Sequence, residues 1–242
     1  MKAMTKKILK KPQALAGLLL ITIVLLVAVT APLFAPNDPN FVDVTKKFME
    51  PNSQYPLGCD SLGRCELSRL LYGARYSIGI SMPILLLLAV IGLALGTFSA
   101  CAGEKVDRVL TMLCDTFISF PSLIIAVAVI GAIGNGFKSI TIAIVIAMWA
   151  WFTRVVRAYA LVEMGKGYIL AARISGCGTA KLILKHLIPN ILPQFFVYLS
   201  TGVASSILMV SSFAFLGLGL PAGTAEWGAM LNDARSCLYS HP

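Results

Sequence analysis

Polar and apolar positions do not alternate along this chain; they separate into blocks. The first apolar block runs from Ala14 to Ala35 and follows five lysines, Lys2, Lys6, Lys7, Lys10 and Lys11. A spanning helix needs about 20 predominantly apolar residues. A cleaved signal peptide has an apolar core of only about 7–15. The block is therefore an uncleaved first membrane helix, with residues 1–13 on the cytoplasmic side. Residues 36–75 are polar and rich in Pro, Asn and Asp, and form an external loop. Tyr76 to Gly103 carries no charge and makes the second span, with Gly92 and Gly96 spaced for close helix approach. After the turn at 104–108, a third span is expected over Val106–Ile133. A short external turn at 134–138 leads to a fourth span, Ser139–Tyr159, and a fifth lies over Ile191–Leu220.

Composition agrees with this pattern. Charged residues are 13% of the chain, against about 25% in a soluble domain. The net charge of +9 invites a nucleic-acid reading, but that needs basic residues clustered on one soluble face. Here they lie between apolar runs. On the topology above, 13 Lys and Arg fall inside and 7 outside, where seven acids balance them. The positive-inside rule explains that asymmetry, and nucleic acid is excluded as a partner. The partner is membrane lipid, in a multi-pass membrane protein. Six scattered cysteines without a CxxC, and two histidines, supply neither a zinc framework nor a disulfide scaffold. Cys59 and Cys65 stand six apart in the outer loop. Independent surface cysteines are the first reading of them and a disulfide the second.

Asp115 lies within the third apolar run. An ionisable residue there is a candidate intramembrane polar site. The alternative is an interfacial carboxylate near the cytoplasmic end, paired with a Lys or Arg. Residues 131–139, GAIGNGFKS, miss a phosphate-binding loop by the inserted Phe137 and lie between spans rather than between a strand and a helix. With no HExxH, no GxSxG and no acid pair in the spans, an intramembrane enzyme is excluded. Metal-ligand and cofactor sites are not expected.

The stretch GYILAARISGCGTAKLILKHLIPN, residues 167–190, departs from the apolar background. It is expected to form two short cytoplasmic helices. The first runs from Tyr168 to Ser175 and is ended by Gly176 and Gly178. The second starts from an N-cap at Thr179, continues to about Leu187, and is stopped by Pro189. Small side chains at Ala171, Ala172 and Ser175 let a partner surface approach. The bland alternative is a linker.

AAR-x-SG, with HLIPN further on, resembles the "EAA" coupling segment of ABC-importer membrane subunits. Three other stretches are similar to blocks of the same family, in the same order: YPLGCDSLGRCELSRLLYGARYSI (55–78), GEKVDRVLTMLCDTFISFPSLIIA (103–126) and FLGLGLPAGTAEWGAMLNDAR (215–235). Together they resemble the C-type permease of the peptide/nickel importer family. The resemblance implies an all-α polytopic fold of the type I ABC-importer (MetI-like) class, with five spans here where the family has six. The transmembrane domain covers 76–242 and contains the coupling segment 161–188. The resemblance implies partners too: a homologous B-type permease, two ATPase subunits that bind the ATP, and an extracytoplasmic substrate-binding protein. Coupling residues carried over are Ala171, Ala172, Arg173, Ser175, Gly176, His186 and Pro189. Ala171 stands one residue after Leu170, where many relatives have Glu, and Cys59 and Cys65 replace the usual Thr and Asp. The chain stops where the family continues through one more span, which reads as a truncated product or a fragment. WAWFTRVVR (149–157), AARISGCG (171–178) and TAEWGAMLNDAR (224–235) lean towards nickel or a nickel chelate as cargo, with short peptides as the alternative. A self-contained secondary transporter or channel is the rival of another class. It would leave the hairpin unexplained and would show repeats not seen here.

Overall fold

The computed structural model describes residues 11–221 and 223–237. Its elements, in chain order, are α1 (Pro12–Phe34), a 3-10 turn (Val44–Lys46), α2 (Glu66–Cys101), α3 (Glu104–Ile118), α4 (Ser122–Ile133), α5 (Phe137–Met164), α6 (Gly167–Ile174), α7 (Thr179–Leu182), a π turn (Ile183–Leu187), α8 (Ile188–Phe215) and α9 (Trp227–Arg235). Among the described residues four helical stretches are long and apolar enough to cross a membrane: Pro12–Phe34, Glu66–Cys101, Phe137–Met164 and Thr179–Phe215. Counting the bent pair α3–α4 as one makes five.

The chain forms two compact units. One holds the described residues up to Gly79, Ala214–Gly217 and the described residues from Gly223 on; the other holds Ile80–Phe213 and Leu218–Pro221. In the first unit α1 begins with Pro12 at its first turn, where a missing N–H costs nothing. Leu19, Leu20, Ile21 and Val29 stand uncovered along it. Such a helix, apolar on all sides, suits lipid rather than water. Its Thr22 and Thr30 hydroxyls donate to the Leu18 and Leu26 carbonyls at 2.7 and 2.6 Å, so neither is left unpaired.

The second unit has a continuous core of apolar residues, including Ile84, Leu88, Ile144, Phe152, Phe195 and Phe213. Glycines set how closely its helices approach. A Cβ on Gly92 would lie 2.9 Å from Phe152 Cβ, and one on Gly96 would lie 2.7 Å from the Thr153 carbonyl oxygen. The GxxxG of α2 therefore lies directly on the main chain of α5, the arrangement by which van der Waals contact replaces the hydrophobic effect in lipid. Gly202 of α8 makes a similar approach, to Leu85 and Phe152.

Three local expectations change. The run Val106–Ile133 is not one rod: α3 and α4 meet at 85°. Pro121 sits at the N-cap of α4. A proline disfavours helical geometry in the residue before it and donates no hydrogen bond, so α3 ends before it. Next, α2 begins at Glu66, about three turns ahead of Tyr76, the expected start of that span, and carries Arg69 and Arg75 within it. Finally, Pro189 does not stop the hairpin. Thr179–Phe215 is one helical stretch of 37 residues. The π turn at Ile183–Leu187 explains this, with the Ile188 N–H bonded to the Ile183 carbonyl. A π turn relaxes the i−4 pairing just ahead of the proline, so a residue without an N–H follows without breaking the helix.

Candidate functional site

The small-residue hairpin is built from α6, a tight turn and α7. At the end of α6 the Gly176 N–H bonds to the Arg173 carbonyl and the Cys177 N–H to the Ala172 carbonyl, each at 3.0 Å. Gly176 has φ +76°. These are the two bonds and the left-handed residue of a Schellman motif, which fits glycine best. Gly178 then takes the N-cap of α7 and Thr179 is its first helical residue, so the expected cap lies one position later than the observed one.

Ile169, Leu182 and Leu187 bury themselves beneath the hairpin, while Leu170, Ile174 and Leu184 are exposed. Ala171, Arg173, Ser175 and Gly176 are exposed too, with Ala172 half-buried. His186 lies within the π turn and Pro189 is the second residue of α8. The first five candidate residues thus gather on α6 and its cap, and the last two sit on the following helix.

Sequence reasoning missed the residue that fixes this hairpin to α5. Glu163 is buried, its Oε2 is 2.7 Å from Lys166 Nζ, and its Oε1 accepts from the Tyr168 hydroxyl. Burial, then the hydrogen bond to Glu163, pushes the Tyr168 hydroxyl up to about 12. A lone Glu after an apolar run carries no sequence signal of burial. The signal available was its spacing to Lys166, an i,i+3 pair.

A second polar group joins α2, α3 and α5. The Asp107 carboxylate accepts from Arg157 Nε and from a terminal guanidinium nitrogen, and from Ser99 Oγ at 2.6 Å. Such bidentate pairing is the strong form of Arg–carboxylate recognition. Asp115 pairs with Arg154 at 2.6 Å, both side chains half-exposed. An open groove of about 660 Å³ runs over this face, lined by Asp107, Thr111, Asp115, Ser119 and Arg157 among others.

The first unit carries its own cluster, and there the blocks 55–78 and 215–235 meet. Arg64 bonds Asp60 at 2.6 Å and Asp233 at 2.7 Å. Arg69 reaches Asp233 at 3.4 Å and the Gly223 carbonyl at 3.2 Å. Both arginines are buried. Glu226, also buried, caps α9 by accepting from the Gly228 and Ala229 N–H groups at 2.7 and 3.1 Å and from Ser77 Oγ at 2.8 Å. Trp227 Nε1 donates to the Leu70 carbonyl at 3.2 Å. Each of these charges has a partner, so the cluster joins distant segments of the unit. Among the described residues no three His, Cys, Asp or Glu side chains converge as metal ligands. Residues 131–139 run from the end of α4 into the start of α5, so they do not form the strand–loop–helix of a phosphate-binding loop.

Apolar crossings and helices packed through glycine define a polytopic α-helical membrane protein. Comparison with known proteins narrows the class. Residues 90–239 match the family described as "Binding-protein-dependent transport system inner membrane component", and residues 1–53 match the "N-terminal TM domain of oligopeptide transport permease C". The chain is 35% identical over 226 residues to the nickel transport system permease protein NikC of Escherichia coli (strain K12), covering 93% of this chain and 82% of that one. It is 36% identical over 237 residues to the metal-staphylopine import system permease protein CntC of Staphylococcus aureus, covering 98% and 82%. Against the dipeptide transport system permease protein DppC of Haemophilus influenzae it is 32% identical over 233 residues, covering 94% and 79%. The chain belongs to the C-type permeases of the peptide/nickel family of ABC importers. It is a non-catalytic, multi-pass component of the inner membrane, and ATP is used by partner subunits.

Proposed function

We propose that this subunit forms half of the translocation pathway of an ATP-driven importer for nickel or a nickel chelate. The observation that carries the choice is the set of relatives: those named for nickel and for metal-staphylopine are 35% and 36% identical, while three named for dipeptide or di/tripeptide transport are 30–33% identical. Di- or oligopeptide import is the second reading, kept because relatives of both groups match 92–98% of this chain. The absence of a convergent ligand set among the described residues favours a chelate, or passing contacts, over a tight bare-ion site.

In this reading the N-terminus and the hairpin face the cytoplasm, as the positive-inside asymmetry asks. A homologous B-type permease supplies the other half of the pathway. Two ATPase subunits dock below, partly through residues 167–188. Exposed Leu170, Ile174 and Leu184, with Arg173, Lys181 and Lys185 among them, offer an apolar and basic surface for a cleft on the ATPase. A substrate-binding protein delivers cargo on the outer side. The test is accumulation of radioactive nickel in cells with and without the gene, with excess dipeptide as competitor. Gene-dependent uptake that dipeptide leaves unchanged is expected. Uptake of labelled dipeptide with no nickel signal would overturn the nickel reading and install the peptide one.

A further inference from the structure

The outer segment brings Cys59 and Cys65 opposite each other. They form an isolated antiparallel bridge. The flanking hydrogen bonds run from the Asp60 N–H to the Arg64 carbonyl at 3.0 Å and from the Glu66 N–H to the Gly58 carbonyl at 3.1 Å. The two cysteines are thus the non-hydrogen-bonded pair of this small ladder, the position where facing Cα atoms come within about 4.5 Å and side chains share one face. That separation falls inside the range of about 4.4–6.8 Å that a disulfide spans. Burial first, and then the neighbouring Cys65, pushes the Cys59 thiol up. Both are thiols in this structure.

We propose that Cys59 and Cys65 are a redox pair that closes as a cross-strand disulfide on the outer side of the membrane. The inference rests on the reading that residues 36–65 lie outside, where disulfides persist. The co-reactant is a disulfide oxidant, which accepts the two electrons and leaves as two thiols. Cys59 is the more accessible of the two, and Cys65 is buried. The Cys59 thiolate therefore attacks the oxidant's disulfide, forming a mixed disulfide and releasing one thiol. Cys65 then attacks the Cys59 sulfur, forming the internal bond and releasing the second thiol. The two cysteines lose two protons and two electrons, and the oxidant gains them. The bond encloses the turn whose Asp60 carboxylate accepts from the Leu62 and Arg64 N–H groups and from Arg64 Nε. It would pin the segment that holds the buried Arg64–Asp233 pair.

Trypsin cleaves after Arg64, between the two cysteines, so the bond leaves a linked peptide, 48–64 joined to 65–69. Membranes holding the full chain are acid-quenched, alkylated with N-ethylmaleimide without reductant, and digested. The linked species, two hydrogens lighter than the summed peptides, is expected, and Cys59→Ser should release an alkylated 65–69 peptide. Finding 48–64 and 65–69 separately alkylated overturns the proposal. The detergent-purified chain, incubated with glutathione disulfide, then shows which premise failed. A linked peptide there, with none in membranes, faults the compartment, and an impermeant maleimide would reach Cys59 only after permeabilisation. No linked peptide in either faults the pairing itself.

Discussion

The guanidinium of Arg157 holds the Asp107 carboxylate through two nitrogens, and Ser99 Oγ completes the set from a third helix. Three helices of the second unit are thereby tied at one carboxylate, about a quarter exposed. Asp107→Ala should destabilise the chain in detergent by about 1–3 kcal/mol, because it strands a charged donor. Thermal unfolding measures this. Glu104→Gln, which removes an exposed pair with Arg108, should stay within about 0.5 kcal/mol of the parent.

Gly96 has no room for a methyl group. Its Cβ would meet the Thr153 carbonyl oxygen and Val156 Cβ at 2.7 Å and the Arg157 nitrogen at 2.8 Å. Main chain cannot swing aside, so Gly96→Ala should cost about 1–3 kcal/mol by pushing α2 from α5. Gly131→Ala, with no neighbouring atom within 4 Å, is the control and should be neutral or slightly stabilising. The comparison is made by unfolding midpoint.

At the hairpin, Gly176→Ala forces a side chain into the left-handed region and should cost about 1–2 kcal/mol locally. Ala172→Arg instead leaves the backbone alone and adds bulk to the small-residue face. Both should lower the amount of ATPase that co-purifies with the permease. If Ala172→Arg left ATPase capture and transport intact, residues 167–188 would not be the docking element.

Tyr168 offers a spectroscopic handle on the same hairpin. The folded hydroxyl keeps its proton to about 12, while an unfolded tyrosine releases it near its ordinary value of 10.0. The stabilisation is thus fully present below pH 10 and is lost as pH rises towards 12. The difference in tyrosinate absorbance between the parent and Tyr168→Phe should titrate near 12. A difference centred near 10 would mean that in solution the hydroxyl is neither buried nor bonded to Glu163.

The long apolar runs were legible in the sequence because lipid demands length and absence of charge, and α1, α2, α5 and α8 follow from that. The family was legible in ordered blocks whose partners were not. Nothing in 55–78 or 215–235 says that Arg64 meets Asp233, since a contact across some 170 residues leaves no local pattern. The elbow at Pro121 was hidden by hydropathy averaged over α3 and α4, although Glu104, Asp107, Arg108 and Asp115 already gave α3 a polar side. Pro189 misled in the opposite direction: a helix stop follows from residue type alone, and the π turn that accommodates it is set by packing. Cys59 and Cys65 look unrelated at a spacing of six until the turn between them folds the strand back.

The helical stretch Thr179–Phe215 carries a mechanical consequence. At about 1.5 Å per residue it is a rod of roughly 55 Å, with α7 at one end and the buried ring of Phe213 near the other. A torque applied at the hairpin therefore reaches the core without crossing a loop. The π turn is the one place where the winding is loose, and tightening it by a single residue would rotate everything beyond it by about 100°. A crank with one slip joint near the handle is what the chain builds there.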